Sequence, residues 1–76
     1  MQEMNDARMA ISAARDAGAE KHAAEQLHQA EEYLDRAEQL LTEKEYSQAR
    51  RDAQNAKKSA LGALSMAEGS ESDDSY

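Results

Sequence analysis

Tyr46-Ser-Gln-Ala49-Arg-Arg-Asp-Ala53-Gln-Asn-Ala56-Lys-Lys-Ser-Ala60-Leu-Gly-Ala63-Leu-Ser-Met-Ala67 is the stretch that decides the fold. Its apolar positions Tyr46, Ala49, Ala53, Ala56, Ala60, Ala63 and Ala67 step three, four, three, four, three, four. That alternation is the heptad seam of closely packed helices. The spacing predicts a helix over 45–68 whose buried face carries little more than methyl groups. Such a face gains little burial alone, so it needs larger side chains from a neighbour.

Working upstream, Ala23, Leu27, Ala30, Leu34, Ala37 and Leu41 form a second seam, widened by Tyr33 and Leu40, which predicts a helix over 22–42. Met4, Ala7, Ile11 and Ala14, with Ala10 and Ala17 beside them, predict a shorter helix over 4–17. The three seams do not share one register. Extending the first by sevens predicts Lys21, Glu25 and His28, where the second seam holds Ala23, Leu27 and Ala30. The phase breaks near Gly18, which can close a helix in the left-handed conformation. It breaks again before Tyr46, where Thr42 and Glu45 have the spacing of a capping box. The expected fold is therefore all-α, an antiparallel hairpin of the second and third helices covered by a shorter N-terminal helix. It forms one domain over 1–68. From Gly69 no seam continues and acids dominate, so 69–76 reads as a disordered acidic tail.

Composition agrees with helix and limits the core. Of 76 residues, sixteen are Ala, six Leu, one Ile and four Met, with no Val, Phe, Trp, Cys or Pro. Ala, Leu, Glu, Lys, Arg and Gln, which dominate the chain, lose little rotamer freedom in a helix. A chain this short buries only about 60% of its unfolded surface. Self-association, most simply a dimer, would supply the missing burial. The net charge of −7 disfavours nucleic acid and anionic lipid. No stretch approaches the ~20 apolar residues that span a bilayer. The region 19–45 carries eight acids and three bases and 46–68 four bases and two acids, so electrostatic pairing of the second and third helices is expected.

The run from Ala7 to Ala67 resembles a known family. The segments that carry the likeness are Ala14-Arg-Asp-Ala-Gly-Ala19, Glu25-Gln-Leu27 and Leu41-Thr-Glu-Lys-Glu-Tyr46-Ser-Gln-Ala49. They are similar to a short alanine-rich helical domain of unknown function found in bacterial envelope lipoproteins, where it sometimes precedes an OmpA-like domain. The resemblance implies a periplasmic or envelope location. That family often has Pro near position 24 and Gly near position 44, both at turns. Here Ala24 and Lys44 stand instead, which leaves longer fused helices as an alternative.

Chemistry is sparse. Glu25-Gln-Leu-His28 has the Glu-x-x-His spacing of di-iron carboxylate bundles, and a metal-binding bundle using Glu25 and His28 is the alternative function. Both residues lie off the Leu27 seam, where a solvated acidic face is expected. His22 and His28 cannot chelate together without a turn between them. No Cys is present, no Ser has an adjacent His and glycine elbow, and no phosphate-binding glycine loop occurs, so no enzyme, cofactor or catalytic residue is expected. Arg50, Arg51, Lys57 and Lys58 read as a solvated face opposite the acidic helix. Met4 and Met9 are expected to fill core gaps. Leu40 to Ala56 resembles half of a tetratricopeptide repeat, a peptide-binding motif, but the 34-residue period is lacking. The leading expectation is a non-catalytic interaction or spacer module. It would pack through Leu27, Ala30, Leu34, Ala37, Leu41, Tyr46, Ala49, Ala53, Ala56, Ala60 and Ala63 against itself or an unidentified protein partner.

Overall fold

A computed structural model describes the backbone of residues 2–73 and the side chains of residues 2–69. It is all-helical, with α1 (Gln2–Asp16), α2 (Ala19–His22), α3 (Ala24–Thr42) and α4 (Tyr46–Asp73), and no strand occurs among the described residues. α4 is the longest element, and both α1 and α3 pack along it. Ion pairs fix the directions. Arg8 meets Glu38 and Arg15 meets Glu31, so α1 and α3 run antiparallel. Glu3 meets Arg50 and Asp6 meets Lys57, so α1 and α4 run parallel. The chain thus goes up, down and up in a rod of 50 × 19 × 14 Å.

α4 packs through Ala49, Ala53, Ala56, Ala60, Ala63 and Ala67, all fully buried. Alanine keeps this face narrow, so two helices can lie close against one. Larger apolar groups come from the neighbours: Met4 and Ile11 from α1 and Leu27 from α3 are buried, and Leu34 and Leu41 are partly buried. Ala10, Ile11, Ala14, Ala30, Ala60, Ala63 and Ala67 belong to one cluster, closed at its end by Ala19, Ala23 and Leu27. Met4, Ala37 and Ala53 form a second, and Leu34 packs against both. Tyr46, expected at the head of the α4 seam, is instead 56% exposed. It is the first residue of α4, in the turn where the chain has just left α3. Met9 is 69% exposed rather than filling the core, because the α1 face used is that of Met4, Ala7, Ile11 and Ala14.

Both phase breaks are turns, and the helices do not fuse. Gly18 has φ 89° and its N–H donates to the Arg15 carbonyl at 2.9 Å, closing α1 in the left-handed conformation. One turn, α2, follows and carries the chain across the end of the bundle. Ala23 then leaves helical geometry at φ −149°, and its buried side chain joins the core before α3 begins at Ala24. The expected helix over 22–42 therefore starts two residues late, and a fourth short helix precedes it.

The second turn differs from the capping box. Thr42 ends α3, and its Oγ1 donates back to the Glu38 carbonyl at 3.1 Å instead of capping α4. Closure comes from the backbone. Glu45 N–H donates to the Leu40 carbonyl at 2.8 Å and Lys44 N–H to the Leu41 carbonyl at 3.0 Å, the paired bonds of a Schellman motif. Lys44 supplies the left-handed residue at φ 64°, a conformation with a steric cost for any side chain bearing a Cβ. α4 continues to Asp73, five residues beyond the expected end. Of the expected tail over 69–76, the backbone as far as Asp73 is the end of α4, while the side chains from residue 70 and the whole of residues 74–76 lie outside the described residues.

Two substitutions test this packing by urea unfolding. Ala56→Leu should overpack the fully buried seam and cost about 1 to 3 kcal/mol. Lys44→Gly should stabilise by up to about 1 kcal/mol, because glycine takes the left-handed geometry without strain. A destabilised Lys44→Gly chain would show that the Schellman turn does not form in solution.

Candidate interaction surface

α1 is the electrostatic bridge of the bundle. Arg8 and Arg15 are seven apart on α1, and Glu31 and Glu38 are seven apart on α3. Antiparallel packing sets both pairs in one register, with Arg8 Nη2 2.9 Å from Glu38 Oε2 and Arg15 hydrogen-bonded to Glu31. On its other side α1 offers Glu3, 3.5 Å from Arg50 Nε, and Asp6, 3.9 Å from Lys57 Nζ. The direct pairing of an acidic second helix with a basic third is therefore not what forms. α3 and α4 share one ion pair among the described residues, Arg36 with Asp52 at 3.8 Å, and its polarity is the reverse of that expected. Glu31 and Glu38 of α3 and Arg50 and Lys57 of α4 find their partners on α1 instead. The heptad spacing of these charges was available in the sequence, but it identifies partners only once the helix directions are known.

Between α1 and α3 lies an open groove of about 530 Å³. Ile11 and Leu34 supply its apolar lining, and Arg8, Arg15, His28, Glu31, Glu32 and Asp35 its charged and polar one. Ser12 also lines it, but no hydrogen bond joins Ser12 to His28, whose Nε2 lies 2.8 Å from Glu32 Oε1 on the next turn of α3. Glu25 and His28, the two residues of the Glu-x-x-His spacing, are both exposed. Among the described residues no group of three His, Cys, Asp or Glu side chains converges on a common point. His22 and His28 do have a turn between them, at Ala23, yet they do not enter such a group. The reason is geometric: the inward face of α3 is occupied by Leu27, Ala30 and Ala37, so Glu25 and His28 point to water.

The described surface has further apolar exposure on α4, where Leu61 and Met66 are each 45% exposed. No described helix is long and apolar enough to cross a membrane.

The bridge can be measured. Arg15 and Glu31 are half and one-third exposed, so a double-mutant cycle with alanine should give a coupling of about 0.2 to 1 kcal/mol that fades in molar salt. A salt-independent coupling well above that range would mean that the pair is buried by something the single chain does not provide.

No curated protein and no solved structure matches this chain. One family model does, over residues 2–75, which takes in all four helices and both turns. The chain therefore belongs to the family described as a domain of unknown function, DUF4398.

Proposed function

We propose that this chain is a non-catalytic helical module that packs against a second copy of itself or against another protein, serving as an interaction or spacer element. The observation that carries the reading is the makeup of the core. Among the described residues every side chain with no exposed surface is an alanine, from Ala7 on α1 to Ala67 on α4, and Leu34 and Leu41 remain only partly covered. A Leu or Ile contributes roughly 1.5 to 3 kcal/mol when fully buried and an alanine far less, while each ordered residue costs roughly 1.5 kcal/mol of entropy. A thin bundle of this kind gains from further burial, and Met9, Leu61 and Met66 are apolar groups still available to it.

The likeness of Ala14–Ala19 and Leu41–Ala49 to the alanine-rich domains of envelope lipoproteins supports a periplasmic or envelope location. In that setting a 50 Å rod suits a spacer between an anchor and a further domain. Neither the metal-binding nor the tetratricopeptide reading has an observation in its favour. Glu25 and His28 face water, and the three long helices among the described residues are fewer than the three helix pairs that a stable repeat stack needs.

Sedimentation equilibrium across micromolar to millimolar concentration tests the reading, with a reversible dimer expected. A monomer throughout, with no protein partner recovered by crosslinking in cells, would overturn it. Metal analysis of protein purified without chelator is expected to find no stoichiometric transition metal, and one lost on His28→Ala would reverse the choice.

A further inference from the structure

α4 contains a residue that the fold of one chain does not use. Gly62 lies inside the 28-residue helix, where glycine weakens the helix relative to alanine. A methyl group added there would meet nothing within 4 Å. No turn, positive φ or close contact within the chain calls for glycine at this point. Leu61 and Met66, both 45% exposed, flank it on either side round the helix. Lys57, Lys58 and Leu61 share a shallow depression on the same outer side.

Charge along α4 divides about the same point. Tyr46–Lys58 holds Arg50, Arg51, Lys57 and Lys58 against Asp52, four bases less one acid, or +3. Ser59–Asp73 holds Glu68, Glu71 and Asp73 and no base, or −3. A helix charged in this way repels a parallel copy of itself and attracts an antiparallel one. Lys58 and Glu68 are exposed and form no ion pair among the described residues.

We infer that α4 binds the α4 of a second copy of this chain, antiparallel and crossing at Gly62, with Leu61 and Met66 closing over the contact. The inference rests on the self-association proposed above and assigns it a face. Lys58 stands four residues before Gly62 and Glu68 six after, so the crossing sets Lys58 level with Glu68 of the second copy, twice by symmetry. Glycine lets the two axes approach closely at the crossing. The same charges make an anionic membrane surface or a nucleic acid a poorer occupant, because the basic half is followed by an equally acidic one and the chain as a whole carries −7.

The test uses the full chain and sedimentation equilibrium. Gly62→Gln places a good helix former in open space, so the melting temperature of the dilute chain should hold or rise while association weakens at least tenfold. Leu61→Glu should weaken it similarly. Lys58→Glu and Glu68→Lys should each associate at least tenfold more weakly, and an equimolar mixture of the two should recover heterodimers, since each then meets opposite charge. Association that survives Gly62→Gln and the charge reversals unchanged would overturn the α4 face while leaving self-association intact. A wild-type chain that stays monomeric at every concentration would overturn both. A loss of association on charge reversal without recovery in the mixture would also sink the antiparallel register.

Discussion

Everything in this bundle depends on the methyl-sized face of α4. A helix presenting six fully buried alanines from Ala49 to Ala67 lets two neighbours share it, because no large side chain holds either one away. The same property limits what the packing contributes. Apolar bulk must come from the other side, and the chain has little of it: Met4 and Ile11 on α1, Leu27, Leu34 and Leu41 on α3. Close approach is obtained here at the expense of buried area, and a surface that still carries exposed Leu61 and Met66 follows from that exchange.

Because burial is thin, the placing of α1 leans on charge. Arg8 and Arg15 reach Glu38 and Glu31 of α3, and Glu3 and Asp6 reach Arg50 and Lys57 of α4, so one short helix links an acidic neighbour to a basic one. These pairs are exposed, and each is worth little in free energy. Their effect is on arrangement: only an α1 antiparallel to α3 and parallel to α4 satisfies them together. An apolar seam of alanines has few features to choose one register over another, and the heptad-spaced charges supply that choice.

The turns rest on backbone geometry more than on side chains. Gly18 reaches the left-handed conformation without strain, whereas Lys44 holds the same kind of position at a steric cost. The turn forms there nonetheless. Leu40 and Leu41 accept the closing hydrogen bonds, and packing of α3 along α4 would be lost if the two helices ran on as one. Tertiary burial outweighs the local preference of a single residue. At Ala24, the first residue of α3, a proline would fit the start of a helix, and alanine fills the place without changing the turn.

The sequence by itself determined the helices and most of their inward faces. Periodic alanines and leucines report burial through a spacing of 3.6 residues that depends on no partner. Leu27, Ala30, Ala37 and the alanines of α4 are inward for that reason, and the two register breaks mark where the chain turns. Tertiary structure decided what involves relations between helices. Whether Tyr46 and Met9 are covered depends on how far each neighbour extends and which face it takes, and both side chains prove exposed. Thr42 and Glu45 have the spacing of a capping box, but a left-handed Lys44 claims the turn. Which acid meets which base could not be read from net charges of segments, because an ion pair forms over a few ångströms and needs direction and register to be settled first. Local periodicity is written along the chain, whereas contact between elements is a property of their arrangement in space.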